Sequence, residues 1–475
     1  MNLPEAFSAQ TQPILQEQWD DFLHALTQAS PVSVRVNDKI PYAPSDDKVA
    51  WCDAGYYLAE RPLFTADPYL HAGVYYVQEA SSMFLWQVLS QIIPKNSTVL
   101  DLSAAPGGKS TLISQYLGGE GLLVSNEIVR SRAYILAENT IKWGNHAVVV
   151  TNNEPNDFQK IPRFFDAVVV DAPCSGEGMF RKDAGAIDEW SEQNVQMCAA
   201  RQRDILSDVW STLKEGGVLI YSTCTYNTRE NEENVRWIME GLGAEFLPIN
   251  TDSFPEITVT EGGYRFFPHK TRGEGFFLAA MRKIAASGER QAVSQVLSSE
   301  FRVPSSKFSK KNRKNDNFHI KSSDKEIESL KTGLIYSEKW KIYSENGLIS
   351  VFDAVKSEKL DILKKQLKVL HFGITLAEQK GRDFIPHVSL ALSKQLDESR
   401  FVTAEVDYDT AIAYLRKETV FLPETPKGFI LLKYKNVPIG WVKNVGNRCN
   451  NLYPNEWRIR MNLPTAQLPN PLKGE

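Results

Sequence analysis

The sequence predicts an α/β protein built on a doubly wound, mostly parallel sheet, because strand and helix patterns alternate from residue 98 to about residue 283. Apolar runs such as residues 167–170 are typical of strands that helices cover on both faces. Residues 192–213 have the apolar spacing of a long helix. Two strand-like runs, residues 264–269 and 275–281, follow the last helix and predict a closing antiparallel hairpin.

Smaller units are predicted on either side of this sheet. Residues 1–80 combine a helical pattern with an alternating strand, which predicts a small α+β domain before the sheet domain of residues 81–283. Residues 284–330 contain a stretch that loses its periodicity and carries an excess of basic residues, so we interpret them as a linker. Strand patterns resume in residues 331–400, an α/β region, and continue in a β-rich unit over residues 401–475.

The composition indicates a protein of several packed domains without a membrane segment. The chain has 475 residues, 42% of them hydrophobic, which is long enough for two or more domains. No run approaches the roughly 18 consecutive apolar residues of a membrane span, and the N-terminus lacks the pattern of a secretion signal. Five scattered cysteines form neither a disulfide pattern nor a zinc motif. We therefore expect a cytoplasmic monomer that binds no metal and no membrane.

A loop of small residues follows the first predicted sheet strand and leads into a helix. Small side chains let a ligand approach the backbone, and the helix N-terminus offers free N–H groups. A phosphate-binding loop needs glycine where this chain has Ser103, and Pro106 lies inside the turn, so a nucleoside triphosphate is the weaker candidate. An adenosyl cofactor fits better, because its ribose hydroxyls need a carboxylate after the next strand, where Glu127 lies. The cofactor-binding candidates in the loop are Ala104, Ala105, Pro106, Gly107, Gly108, Lys109 and Ser110.

Ligands of doubly wound sheets bind at the carboxyl ends of the strands. The polar side chains at or just after these predicted ends are Asp101, Glu127, Asn153, Glu154, Asp171 and Cys224. Cys174 follows Asp171 by three residues, so two cysteines lie at the ends of neighbouring strands. Their neighbours in sequence are polar or turn-forming, which is more typical of reactive thiols than of core packing.

Six motifs together resemble those of the RNA cytosine-C5 methyltransferases of the Nop-Sun group, the RsmB, RsmF and NSUN proteins, which use S-adenosylmethionine. The motifs are Ser-Val-Arg-Val-Asn at residues 33–37, Gln-Glu-Ala-Ser at 78–81, the loop at 101–109, Asp-Ala-Pro-Cys-Ser-Gly-Glu-Gly at 171–178, Ser-Thr-Cys-Thr at 222–225 and Glu-Asn-Glu at 230–232. Residues 175–183 and the C-terminal extension are most similar to the RsmF branch, which modifies small-subunit ribosomal RNA. The resemblance implies a Rossmann-like class I methyltransferase fold, and residues 427–454 resemble a PUA-like RNA-binding domain.

The resemblance also implies roles for individual residues. Cys224 would be the nucleophile that adds to carbon 6 of cytosine, and Cys174 would assist release of the product. DNA cytosine methyltransferases attack with a Pro-Cys thiol, so chemistry alone would also allow Cys174. Asp171 would hold the cytosine ring, and Lys109 would reach the same cleft. Glu154 stands where the family usually has an aspartate near the adenine. The cofactor contacts outside the loop are then Glu127, Glu154 and Asp171.

Candidate RNA contacts lie in three parts of the chain. Alternation in residues 32–37 puts Arg35 and Asn37 opposite three valines, on a face that is either solvated or in contact with RNA. Residues 305–325 hold seven basic residues against two acidic ones, which favours phosphate contact beside an RNA enzyme. The full set is Arg35, Asn37, Lys310, Lys311, Arg313, Lys314, Lys443, Arg448 and Arg458. We expect residues beyond 283 to supply RNA affinity, and the residues before them to suffice for cofactor binding.

Three alternative functions stay open from the sequence. A transfer RNA cytosine-C5 methyltransferase would share the fold and the chemistry. A ribosome-assembly protein with a silent methyltransferase fold would bind without catalysis, although the two intact cysteines count against it. A phosphate-loop ATPase would use Lys109 and Ser110 with Asp171 as a metal ligand. It would leave Glu127 and both cysteines without a role.

Overall fold

The N-terminal domain is a three-stranded antiparallel sheet preceded by two helices. The computed structural model describes residues 1–285 and 324–461. The elements of this domain are α1 (Glu5–Leu15), α2 (Trp19–Thr27), β1 (Val32–Val36), β2 (Gly55–Leu58), α3 (Pro68–His71) and β3 (Tyr75–Val77). Strand β1 lies between β2 and β3, so neighbouring strands pair with both of its edges.

A ten-stranded sheet forms the centre of the molecule. Its strands from residues 81–283 are β4 (Thr98–Asp101), β5 (Leu122–Asn126), β6 (Val148–Thr151), β7 (Phe165–Asp171), β8 (Leu213–Thr223), β9 (Ala244–Phe246), β10 (Thr258–Thr260), β11 (Gly263–Phe266) and β12 (Phe276–Lys283). The helices of this region are α4 (Leu85–Ile92), α5 (Gly108–Leu117), α6 (Arg130–Trp143), α7 (Ala184–Glu189), α8 (Glu192–Trp210) and α9 (Glu232–Trp237).

The pairing of these strands confirms the predicted fold class. Strands β6, β5, β4, β7 and β8 are adjacent in that order and parallel. Strand β12 pairs antiparallel with β8 and with β11, as predicted for the closing hairpin. Val168 and Val170 of β7 pack in the core on one face of the sheet, and Ala167 and Val169 in the core on the other. Full burial of each valine contributes about 1.5 kcal/mol or more, which explains why the central strands are almost wholly apolar.

The C-terminal half contributes two further four-stranded sheets. Its elements are α10 (Asp324–Ser329), β13 (Trp340–Glu345), β14 (Leu348–Asp353), α11 (Ser357–Gln366), β15 (Val369–Phe372), β16 (Ile374–Lys380), β17 (Asp383–Pro386), α12 (Val388–Ala391), β18 (Val402–Glu405), α13 (Tyr408–Leu415), β19 (Gly428–Tyr434), β20 (Val437–Asn444) and β21 (Cys449–Asn451). Strands β13, β14, β16 and β17 form one sheet, and β18 to β21 form the other.

The C-terminal half packs closely on the rest of the chain. Strand β15 pairs antiparallel with β6 and becomes the outer strand of the central sheet. Leu360 and Leu363 of α11 join the same buried core as β7. Val34 and Tyr75 of the N-terminal sheet share a core with Ile430 of β19. The central sheet therefore extends beyond the boundary predicted at residue 283, because an uncovered edge at β6 would leave backbone groups unpaired.

Candidate active site

The cofactor-loop candidates form a tight turn after β4 and the first residues of α5. The N–H of Ala104 donates to the carbonyl of Asn126 at 2.8 Å, which joins the loop to the end of β5. Asn139 of α6 donates to the carbonyl of Pro106 at 2.7 Å. Gly107 has a φ of +122°, a conformation that strongly favours glycine. The loop is thus held in one conformation by the two elements next to it.

Asp101 is buried at the end of β4, and its two carboxylate oxygens differ in their hydrogen bonding. Its Oδ2 accepts a hydrogen bond from Ser110 Oγ at 2.6 Å. Its Oδ1 is buried and has no hydrogen-bond partner among the residues that the structure describes. Burial raises the pKa of Asp101 to about 7, partly offset by the bond from Ser110 and by nearby Lys109. A cationic or donating ligand group beside the loop would satisfy this oxygen.

The raised pKa predicts a pH-dependent effect of Asp101→Asn. Between pH 5 and pH 7 the unfolded carboxyl, with a pKa near 3.8, is ionised while the folded one keeps its proton. The free energy of unfolding of the wild type therefore falls as the pH rises, and Asp101 contributes about 1.4 kcal/mol of this fall per pH unit. Asparagine does not titrate, so the variant lacks this contribution. Relative to the wild type, the free energy of unfolding of the variant should increase by about 2 kcal/mol between pH 5 and pH 7. Urea unfolding at a series of pH values measures this difference. Parallel stability curves for the two proteins would contradict the assignment.

Glu127 follows β5 and is 3% exposed. Its carboxylate accepts from the N–H of Val129 at 2.9 Å and lies 3.7 Å from the guanidinium of Arg132. Glu154 follows β6 but is exposed, and its N–H donates to Asp157 at 3.2 Å at the start of a short 3₁₀ turn. The two candidate adenosyl contacts thus differ in burial, since Glu127 is buried and Glu154 is exposed, and the role of each stays a prediction.

Lys109 and Asp171 form an ion pair across the ends of β4 and β7. Lys109 Nζ lies 2.8 Å from Asp171 Oδ2, and Ser222 Oγ donates to the other oxygen at 2.7 Å. Burial acts to lower the pKa of Lys109, but Asp171, Asp101 and the nearby Cys224 together outweigh it and raise the pKa. The Asp171 side chain is 37% exposed, so it can still reach a ligand.

The two predicted thiols come together at the ends of β7 and β8. Cys174 Sγ and Cys224 Sγ are 2.9 Å apart, longer than the roughly 2.05 Å of a disulfide, and both are free. The backbone N–H of Cys224 also points at Cys174 Sγ, at 3.3 Å. The hydrogen bond to Cys224, then burial, raise the pKa of Cys174 well above its usual value. Cys174 therefore holds its proton at neutral pH.

A buried glutamate fixes the loop that carries Cys174. Glu230 accepts hydrogen bonds from the N–H of Ser175 at 3.0 Å, from Gln202 at 2.7 Å and from Asn227 at 2.8 Å. Burial raises the pKa of Glu230, and the hydrogen bonds from Ser175 and Asn227 partly offset this rise. The motif 230–232 points to this residue, but its role is visible only in the structure.

A second buried glutamate joins the loop after β7 to the segment after β8. One oxygen of Glu177 accepts from the N–H groups of Tyr226 at 2.8 Å and Asn227 at 2.9 Å. The other accepts from Trp190 at 2.9 Å, from Gln10 at 3.0 Å and from the side chain of Asn227 at 3.1 Å. Because each cysteine lies two or three residues from one end of this connection, Glu177 helps to set their separation.

The expectation that Arg35 and Asn37 face RNA is wrong. Arg35 is fully buried, and its guanidinium donates to Gln78 at 2.8 Å and to Thr111 of α5 at 2.5 Å. Burial lowers the pKa of Arg35 to about 10. Asn37 is 1% exposed and donates to the carbonyls of Gly73 and Trp143. Both residues instead hold the N-terminal domain against the first turn of α5 and the end of α6.

The other RNA candidates stay predictions. Arg448 and Arg458 are exposed, and Lys443 is half-buried with its ammonium 5.1 Å from the ring of Phe429. The four linker candidates, Lys310, Lys311, Arg313 and Lys314, lie outside the described residues.

No cluster of three or more histidine, cysteine, aspartate or glutamate side chains in residues 1–285 and 324–461 is arranged to hold a metal ion. Within the same ranges no helix has the length and apolar character needed to cross a bilayer.

Three family models match successive parts of the chain. The model of 16S rRNA methyltransferase RsmB/F matches residues 91–282. The N-terminal domain of 16S rRNA methyltransferase RsmF matches residues 3–80, and the methyltransferase RsmF PUA domain matches residues 401–459.

Relatives that cover almost the whole chain agree with these matches, and a solved structure shares the fold. The ribosomal RNA small subunit methyltransferase F of Erwinia tasmaniensis is 31% identical over 481 residues, which cover 95% of this chain and 96% of the relative. The protein of the same name from Escherichia coli K12 is 31% identical over 485 residues, with the same coverage. A methyltransferase homologue from Pyrococcus horikoshii has a similar fold, with a TM-score of 0.51 at 24% identity over 59% of this chain and 95% of that one.

Proposed function

The chain belongs to the RsmF family of 16S rRNA methyltransferases, and from this premise we propose that it methylates carbon 5 of a cytosine in small-subunit ribosomal RNA. The observation that carries the proposal is the pair of free thiols, 2.9 Å apart, beside the ion pair of Lys109 and Asp171. Methylation of a nitrogen or of a ribose oxygen needs no thiol. Methylation of a pyrimidine carbon, by contrast, requires a thiol as the nucleophile, and the second thiol is available for the later release step.

The chemistry of cytosine explains this requirement. Carbon 5 is too weak a nucleophile until a thiolate adds to carbon 6, when the electron pair of the carbon 5–carbon 6 double bond moves toward carbon 5. Carbon 5 then takes the methyl group, which bound S-adenosylmethionine supplies as an electrophile. The proton on carbon 5 must next leave, and its electron pair restores the double bond as the sulfur–carbon bond breaks. One thiol serves the addition and a second group serves the release.

The surroundings of the two thiols favour Cys224 as the nucleophile. Cys224 is among the groups that raise the pKa of Lys109, so its sulfur and the Lys109 ammonium interact across the site. Cys174 keeps its proton, because its pKa is raised by the bond to Cys224 and by burial, which suits a group that handles protons during release. The half-exposed Asp171 carboxylate would accept a hydrogen bond from the ring or its amine.

The pocket residues fit S-adenosylmethionine. The small side chains from Ala104 to Gly108 let a ligand approach the backbone, and the unpaired Oδ1 of Asp101 offers an acceptor to the ligand's ammonium group. The fixed carboxylate of Glu127 would hold the ribose hydroxyls, and Glu154 would lie near the adenine. The C-terminal PUA domain, with Arg448 and Arg458 exposed, would bind the RNA. A ribosomal RNA substrate implies that the protein acts in the cytoplasm.

Mapping of 5-methylcytosine tests the proposal. Bisulfite sequencing of RNA from cells without the gene should show a small-subunit cytosine that has become convertible. The wild-type gene should restore its resistance, and a gene encoding Cys224→Ala should not. If only cytosines in transfer RNA lose their resistance to bisulfite when the gene is removed, the result would favour a transfer RNA methyltransferase. An unchanged map with impaired subunit assembly would favour a silent assembly factor.

A further inference from the structure

The outer strand on one side of the central sheet comes from the C-terminal half of the chain. Strand β15 pairs antiparallel with β6, with Val369 opposite Thr151 and Phe372 opposite Val149. The residue before β15, Lys368, therefore lies beside the loop that follows β6. That loop belongs to the end of the sheet where Glu127 and the cofactor loop are found.

Lys368 is hydrogen-bonded to two consecutive asparagines of this loop. Its N–H donates to Asn153 Oδ1 at 3.0 Å, and its carbonyl accepts from Asn153 Nδ2 at 3.3 Å and from the N–H of Asn152 at 3.0 Å. Its ammonium donates to Asn152 Oδ1 at 2.6 Å. Four hydrogen bonds thus join one residue of the C-terminal half to the loop after β6.

Asn152 is also hydrogen-bonded to the backbone at Glu127. Its Nδ2 donates to the carbonyl of Glu127 at 2.8 Å and to the carbonyl of Ile128 at 2.9 Å. On the other side of Glu127, the buried side chain of Asn126 accepts from the N–H of Asn153 at 3.0 Å and donates to Leu102 at 3.1 Å. The loops after β4, β5 and β6 are therefore connected through these amides.

We propose that Asn152, held by Lys368, is a positioning residue for the cofactor pocket: it fixes the backbone at Glu127 and so aims that carboxylate at the ribose. The inference rests on the proposed function, in which Glu127 is the ribose ligand. It assigns the C-terminal half a part in cofactor binding, in contrast to the expectation that residues up to 283 suffice. A backbone held by two bonds needs no reordering when the ligand binds, which increases affinity.

The test is Asn152→Ala in the full-length protein, with S-adenosylmethionine affinity measured by calorimetry. The variant loses both bonds to the carbonyls of Glu127 and Ile128, so we expect the Kd to rise about tenfold. The KM for S-adenosylmethionine should rise with it, while kcat at saturating cofactor and the melting temperature stay near the wild-type values. A matched control is Lys359→Met. This lysine of the same half contacts Thr98 at the opposite end of the sheet, at 2.7 Å, and its loss should leave the Kd unchanged.

A double-mutant cycle with Glu127→Ala separates this inference from the proposed function. If Asn152 acts through Glu127, Asn152→Ala should raise the Kd less than threefold once Glu127 is alanine. A tenfold effect in both backgrounds would overturn the inference, and so would an unchanged Kd for Asn152→Ala or a fall in melting temperature and kcat with KM unchanged. An unchanged Kd for Glu127→Ala would instead overturn the cofactor assignment in the proposed function.

Discussion

Cys224→Ala should abolish methyl transfer and bind RNA only reversibly. Without the thiolate no bond to carbon 6 forms, so carbon 5 never becomes nucleophilic and turnover should fall by at least about a thousandfold. Cofactor binding should persist, because Cys224 follows β8, which is separated in the sheet by β7 and β4 from β5, the strand that Glu127 follows. Transfer of a labelled methyl group to small-subunit RNA measures the first effect, and calorimetry measures the second.

Cys174→Ala should fail in the opposite way. The nucleophile is intact, so addition and methyl transfer proceed, but the group that handles the proton during release is missing. The protein should therefore accumulate an RNA-linked species that survives denaturing gel electrophoresis. Since Cys174 Sγ is 2.9 Å from Cys224 Sγ, its removal leaves the nucleophile in place and takes away only its neighbour.

A third cysteine provides the control for this pair. Cys198 is half-buried on α8, and burial raises its pKa to about 11, so Cys198→Ala should turn over normally and trap no RNA. The reversed pattern, with RNA trapped by Cys224→Ala, would transfer the nucleophile to Cys174. An alanine variant of either predicted thiol that loses stability but keeps its activity would show that the cysteine only packs between strands.

The central sheet and the grouping of the candidate residues could be predicted because both depend on local pattern. Parallel strands all point the same way, so the residues that follow them lie at the same end of the sheet whatever the strand order. Lys109 and Asp171, 62 positions apart in the chain, accordingly form an ion pair. Cys174 and Cys224 meet for the same reason. The motif resemblance identified the family correctly, as the relatives over 95% of the chain show.

The predictions that failed needed knowledge of what covers each element. Alternation in β1 put Arg35 on a separate face from Val34, but both faces of this central strand are buried, one against α5 and the other against the C-terminal half. Residues 366–372 are strand-like in sequence, yet nothing local indicates that β15 pairs with β6. Glu177 stands within a recognised motif, but only the fold brings its five donors together.

Glu177→Ala should cost about 4 kcal/mol of unfolding free energy. The carboxylate is fully buried and accepts five hydrogen bonds, two of them from the backbone of Tyr226 and Asn227. Alanine leaves these donors buried and unpaired, and each such group costs about 1–3 kcal/mol where water cannot replace the acceptor. Urea unfolding measures the loss. At a temperature where the variant stays folded, turnover should also fall, because the segment next to Cys224 is no longer tied to the loop of Cys174.

Two further variants distinguish hydrogen bonding from packing at this position. Glu177→Gln keeps the size of the side chain, but its amide nitrogen faces N–H donors whichever way the group is turned, since donors approach both oxygens. The free energy of unfolding of Glu177→Gln should therefore be lower than that of the wild type by about 2 kcal/mol or more. The exposed Glu189 on nearby α7 is the matched control, and Glu189→Ala should change the free energy of unfolding by no more than about 0.5 kcal/mol. A wild-type stability for Glu177→Gln would mean that the side chain only fills space, and the separation of the two thiols would then depend on Glu230 and its donors instead.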